Sequence, residues 1–236
     1  MRQIISMHGW GSDCSIWSEW NKYFINENWN WVNSERGYGN GQPLTPNWQK
    51  SLNNGSTKRA LIIHSLGLHL IEKKLLEEAT HIVLIGCFSS FITEKLESKY
   101  LKIVLNRMRE KIGSDNEDKM LSNFFLKAIN PHSNQSIFAK RMLKNISAKG
   151  RAKLKDDLDL LIKSSILPIG FPQKAKVLVI EGELDKILSK SAKQKLITDL
   201  NSHLRMDLNI FKYEDQGHFF FSYQVIKDVE NWLNKA

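Results

Sequence analysis

Ala60-Leu61-Ile62-Ile63-His64-Ser65-Leu66-Gly67 joins a short apolar, β-branched run to a stretch of helical spacing that reaches about Glu78. An uninterrupted apolar run of this length fits a strand buried on both faces. The change of period after a single serine fits a strand, one sharp turn and a helix. A serine hydroxyl is inert at neutral pH, so a serine on such a turn points to attack on an electrophile with help from a base. Taken alone, Ser65 also reads as a helix N-cap, a position serine favours.

Other segments alternate in the same way on either side. Gln3 to Met7, Asn30 to Asn33, His81 to Gly86, Lys176 to Glu181 and Asp207 to Lys212 read as strands. Ile16 to Phe24, Leu66 to Glu78, Ile187 to Leu200 and Tyr223 to Asn234 read as helices. Strands alternating with helices predict an α/β fold with a mostly parallel sheet of about six strands. The 79 residues from 92 to 170 break the rhythm. No strand is legible there, and helices are predicted over about Tyr100 to Ile112, Glu117 to Ile129, Ile137 to Ile146 and Arg151 to Ile162. The expected organisation is a core of residues 1–91 and 171–236 with residues 92–170 inserted as a helical cap.

Three more elements fall just past strand ends, the edge where open α/β sheets bind ligands. They are His8-Gly9-Trp10-Gly11 after the first strand, Asp185 after Glu181-Gly182-Glu183-Leu184, and His218 in Gln216-Gly217-His218. The order Ser, Asp, His is that of a hydrolytic triad in this kind of sheet. His218 is then the base for Ser65, Asp185 orients the imidazole, and the backbone N–H groups of Leu66 and Trp10 are the expected oxyanion donors. Asp185 also reads as a helix cap; Asp199 and Asp207 are its competitors. His203, the only other histidine after Asp185, reads as a surface residue at a helix end. His64 reads as packing within the elbow and His69 as helical surface or core.

Composition sets further bounds. With 42% hydrophobic and 25% charged residues, the 236-residue chain is ordinary for one soluble domain. No apolar run approaches the roughly 20 residues a membrane span needs, and no secretory leader is expected. Cys14 and Cys87 make neither a disulfide framework nor a metal site, so a cytoplasmic setting is expected. The scattered histidines suggest no metal. Of the net charge of +9, residues 92–170 carry +7, from 16 Lys and Arg against nine Asp and Glu. That fits either a basic face for an acidic partner or a solvated helical surface. No nucleic-acid-binding motif accompanies it.

Together, His8-Gly9-Trp10-Gly11 with Trp17, His64-Ser65-Leu66-Gly67, Gly182-Glu183-Leu184-Asp185 and Gly217-His218 resemble the α/β-hydrolase superfamily over nearly the whole chain. Within it they look most like the pimeloyl-[acyl-carrier protein] methyl ester esterases of biotin synthesis. The resemblance implies an α/β-hydrolase fold lacking its first two strands and a monomeric serine carboxylesterase without cofactor. It also implies an acyl carrier protein as partner. By the same likeness Trp10 and Phe124 contact substrate, while Lys119, Lys140 and Arg141, with Lys144 and Arg151 nearby, meet the carrier. A short-chain esterase, a thioesterase and a non-catalytic binding protein are the alternatives. The elbow departs from Gly-x-Ser-x-Gly at Ile63, and Leu68 stands where a further glycine is common; Ile63 is expected to crowd the turn.

Overall fold

The structure is a computed structural model that describes residues 1–39, 41–50, 57–93, 95–132, 145–220 and 222–235. Six runs form strands: β1 (Arg2–Met7), β2 (Asn30–Asn33), β3 (Lys58–His64), β4 (His81–Ile85), β5 (Lys176–Gly182) and β6 (Leu208–Tyr213). They make one sheet in the order β2-β1-β3-β4-β5-β6, with every neighbouring pair parallel. The chain starts at β1, steps out to β2, then crosses back to β3 and runs on to β6. The order therefore reverses between β1 and β3, which creates a crevice at their C-terminal ends.

Helices on both faces explain the unbroken apolar runs. Leu61 and Ile63 pack with Leu75, Leu76 and Leu196 on one face, while Ala60 and Ile62 pack with Trp20, Phe24 and Val225 on the other. The first group of partners comes from α3 (Lys73–Glu77) and α7 (Lys190–His203). The second comes from α1 (Ser18–Asn26) and α8 (Tyr223–Lys235). A 3₁₀ turn, Cys14–Trp17, precedes α1 and is capped by the Asp13 carboxylate.

One helix differs from expectation. Instead of running from Leu66 to Glu78, the segment forms α2 (Gly67–Leu70) and then α3, with Ile71 and Glu72 extended between them. The extension turns Ile71 into the core, and the Glu72 carbonyl opens the next helix by accepting from the Leu75 and Leu76 N–H groups.

Between β4 and β5 lie α4 (Lys95–Lys111), α5 (Glu117–Ile129) and α6 (Ala148–Lys163). Ser147 starts α6 by accepting the Gly150 N–H. The helix expected over Ile137 to Ile146 falls mostly on residues 133–144, outside the described residues. Leu105, Leu121, Phe125, Leu154 and Leu158 of these helices share a buried cluster with Trp10, Leu66 and Phe88 from the sheet's C-terminal edge. These three helices thus pack over the crevice. Among the described residues, no helix is long and apolar enough to cross a membrane.

Candidate active site

β3 delivers Ser65 onto a left-handed turn with φ +54°, and the Ser65 N–H donates to the Ile85 carbonyl of β4 at 2.9 Å. The chain then has to pass β1 at close range. A Cβ at Gly67 would lie 2.7 Å from the His8 carbonyl oxygen and 3.1 Å from Ile63 Cγ2. Gly67 therefore supplies the room that lets a fully buried Ile63 occupy the usual glycine position. The expected crowding does not prevent the turn, and Leu68 fits as a core residue of the same cluster.

Ser65, His218 and Asp185 come together across 153 residues of sequence. The Ser65 hydroxyl and His218 Nε2 are 2.9 Å apart, and His218 Nδ1 lies 2.9 Å from Asp185 Oδ2. Burial pushes the Asp185 carboxyl up, but the His218 ring and the N–H groups of Ile187 and Leu188 outweigh it and hold the group down at about 2. Those two N–H groups reach Oδ1 at 2.7 and 3.0 Å. An ionised Asp185 accepts the Nδ1–H and so leaves the Nε2 lone pair facing the serine proton. Gly86 keeps this space open, since a Cβ there would sit 3.2 Å from His218 Nδ1.

The competing residues are engaged elsewhere. Asp199 accepts from Ser89 and Lys195, Asp207 is exposed ahead of β6, and His203 bonds the Phe171 carbonyl at 2.7 Å. His69 bonds the Phe88 carbonyl at 2.9 Å. Burial, with the nearby His218 second, lowers His64 to about 3. Its neutral ring donates from Nε2 to the His218 carbonyl at 3.0 Å.

The loop after β1 passes directly beside the serine: a Cβ at Gly9 would lie 3.0 Å from Ser65 Cβ. The loop closes with Ser12 N–H to Gly9 carbonyl at 3.4 Å. Among the described residues neither the Trp10 nor the Leu66 N–H is used by a hydrogen bond. Two free N–H groups in the turns beside Ser65 suit a developing negative charge.

A cavity of about 490 Å³ opens above Ser65, Leu66 and Trp10. Its walls come from α4, α5 and α6, with Leu105, Met120, Phe124 and Leu158 among them. Phe124 meets Trp10 edge-on with ring centroids 5.0 Å apart, whereas Phe125 is core. Lys111, Lys127 and Lys186 also line the cavity, and among the described residues no carboxylate does. The sequence reading missed these three; their signal was position, since Lys127 shares a helical face with Asn123 and Phe124, and Lys111 one with Met108. Lys119 is exposed and does not line the cavity. Lys140, Arg141 and Lys144 lie outside the described residues. Arg151 is held by Glu117 at 2.7 Å. A larger groove of about 780 Å³ along β6 and α8 contains none of Ser65, Asp185 and His218. No group of three or more metal-ligating side chains occurs among the described residues.

No protein-family model and no curated protein matches the chain. Solved structures do. An esterase from Exiguobacterium antarcticum matches with a TM-score of 0.71 at 14% identity, over 99% of this chain and 92% of that one. A soluble variant of monoglyceride lipase from Saccharomyces cerevisiae, in complex with a substrate analogue, matches at 0.64 and 16%, over 99% and 87%. The enol-lactonase from Burkholderia xenovorans LB400 matches at 0.64 and 11%, over 99% and 89%. At such identities the likeness shows the fold, which is the α/β-hydrolase fold.

Proposed function

We propose that this chain is a serine carboxylesterase in which Ser65 is the nucleophile, His218 the general base and acid, and Asp185 its orienting carboxylate. The observation that carries the reading is the Ser65–His218–Asp185 chain of hydrogen bonds, with both links at 2.9 Å, its Ser65 end lining a mostly apolar cavity. Ser65 Oγ attacks the ester carbonyl while His218 Nε2 takes its proton. The oxyanion accepts from the Trp10 and Leu66 N–H groups, and His218 returns the proton to the departing alcohol. Water then repeats the sequence on the acyl-enzyme, releasing the acid and restoring Ser65. The esterases and the lipase among the structural matches accord with this chemistry. Hydrolysis of p-nitrophenyl butyrate tests it. Ser65→Ala is expected to lower kcat by about 10³-fold or more, and activity surviving that change would refute the assignment.

The finer substrate is a methyl ester at the end of a dicarboxylic acyl chain borne on acyl carrier protein, with residues 92–170 acting as a cap over the core. Two features support it. The cavity walls are apolar, with Phe124 among them. Its lysines, Lys111, Lys127 and Lys186, share it with no carboxylate among the described residues, which suits an anionic carrier arm. Lys119, Lys140 and Arg141 would extend that basic face toward an acidic carrier, in a cytoplasmic setting consistent with the unpaired Cys14 and Cys87. Rescue of a biotin-requiring strain that lacks its own esterase tests this substrate. Turnover of the carrier-bound ester should fall steeply with salt, and Lys127→Gln with Lys186→Gln should raise KM several-fold while sparing p-nitrophenyl butyrate. Intact p-nitrophenyl butyrate turnover without carrier-bound turnover would instead support a general short-chain esterase.

A further inference from the structure

We infer that α6 positions the oxyanion loop, through two tethers that make the helical insertion a working part of the catalytic floor and not only a cover over it. The inference rests on the esterase reading of Ser65. Trp10, whose backbone N–H is the proposed oxyanion donor, is 96% buried, and its indole N–H donates to the Leu154 carbonyl in α6 at 3.0 Å. That is the first tether.

The second runs through an ion pair whose carboxylate is buried. Arg36, in the loop after β2, meets Asp157 of α6 with two bonds, Nε to Oδ2 at 2.8 Å and Nη2 to Oδ1 at 2.6 Å. Only 2% of the Asp157 side chain is exposed. Tyr38 donates its hydroxyl to the same carboxylate, and Lys153 of α6 caps the Arg36 carbonyl at 2.6 Å. The residue before Arg36 holds both ends of the oxyanion loop. Glu35 Oε1 lies 3.2 Å from His8 Nε2, and Oε2 accepts the Cys14 N–H at 2.8 Å. The Arg36 N–H lies 3.1 Å from the same His8 Nε2, which either donates to Glu35 or accepts from Arg36, so each tautomer ties His8 to the Glu35–Arg36 pair. Displacing α6 therefore pulls on Trp10 directly and on the His8 and Cys14 ends of its loop through Glu35–Arg36. A bidentate pair with a buried carboxylate transmits such a pull because breaking it strands the Asp157 charge away from water. Leu154, Asp157 and Trp10 are positioning residues in this scheme; the donor remains the Trp10 N–H.

The test compares Asp157→Asn and Trp10→Phe with Asp159→Asn. The last of these loosens a different α6 ion pair, to Arg109 of α4 at 3.2 Å, and touches no part of the loop. With p-nitrophenyl butyrate, Asp157→Asn is expected to lower kcat about ten-fold or more while KM stays within about two-fold. A misplacement of about 1 Å is enough to cost that much. Affinity for a butyl trifluoromethyl ketone, which adds to Ser65 and places an oxyanion in the hole, should fall in parallel. Asp159→Asn should leave both within about two-fold. Amide exchange of the segment from Met7 to Ser12 should accelerate in Asp157→Asn and Trp10→Phe but not in Asp159→Asn. The exchange arm reads the coupling even if no ester is turned over, so failure of the esterase reading is seen separately, as loss of Ser65-dependent hydrolysis. Should Asp157→Asn not fold, Tyr38→Phe removes one bond to the same carboxylate and gives the same pattern at smaller amplitude. Unchanged kcat and unchanged exchange in the tether variants would overturn the inference. So would an equal loss in Asp159→Asn.

Discussion

At Ser65 the backbone sits in a region that costs a non-glycine residue roughly 1 kcal/mol or more. The surrounding residues hold it there by leaving no room for an alternative. Gly67 is the tightest of them: an alanine there puts Cβ 2.7 Å from one β1-loop carbonyl oxygen and 3.0 Å from another. Gly67→Ala should therefore destabilise the fold by about 2 kcal/mol or more, seen as a lower urea midpoint. Gly9→Ala meets the tip of His64 and Ser65 Cβ, both at 3.0 Å. It should fold and lose kcat, because the atom displaced belongs to the proposed nucleophile. These residue-level demands were partly legible in the sequence. Ser65, Asp185 and His218 could be read because each follows a strand end, and strand ends share one edge. Glu35, Arg36 and Asp157 could not. Nothing in their own segments sets them apart from neighbouring charges, and only folding brings residues 121 positions apart into a bidentate pair.

Among the elements, the strands were the most legible, since burial on both faces forces uninterrupted apolar runs with ends at polar or glycine residues. The break between α2 and α3 left no mark, because neither glycine nor proline stands at Ile71 or Glu72; the core position of Ile71 sets it. The insertion helices were legible by their spacing, but their attachment was not. It depends on carbonyls, as in the Phe219 N–H bond to the Ala128 carbonyl at the end of α5, 3.2 Å long. Gly150 in the first turn of α6 shows how close that attachment is. Replacing a helical glycine by alanine ordinarily stabilises by up to about 1 kcal/mol. Here the added Cβ would fall 1.7 Å from the Tyr38 carbonyl oxygen, so the sign reverses. Gly150→Ala should lower the urea midpoint and, by moving α6, lower kcat as well. A raised midpoint would show that α6 can shift away from Tyr38 without cost.

For the whole molecule, His64, Glu35 and Asp185 contribute most to the response to acid, in overlapping windows, with His69 and Glu117 adding to it in the same sense. His64 is the first. Its ordinary value is 6.5, and burial, then the neighbouring His218, takes it to about 3 in the fold. The unfolded chain therefore binds a proton below about pH 6.5 that the folded chain refuses, and stability falls as pH drops from there toward 3. Glu35 and Asp185 follow. Burial raises both, but His8 and the Gly37 and Cys14 N–H groups bring Glu35 from 4.5 to about 2, and His218 with two N–H groups brings Asp185 from 3.8 to about 2. Their stabilisation is complete above the unfolded values and is lost as pH falls through about 4.5 and then 3.8 toward 2. Each group contributes a slope of at most about 1.4 kcal/mol per pH unit. Urea midpoints of the wild type should thus decline below pH 6.5 and more steeply below pH 4.5. His64→Gln keeps a donor for the His218 carbonyl and cannot titrate, so it should flatten the upper part of the curve and leave the lower part. Glu35→Gln should do the reverse, and because Glu35 holds both ends of the oxyanion loop it should also cost kcat at neutral pH, where His64→Gln costs little. An upper limb unchanged by His64→Gln would mean that another group refuses the first proton.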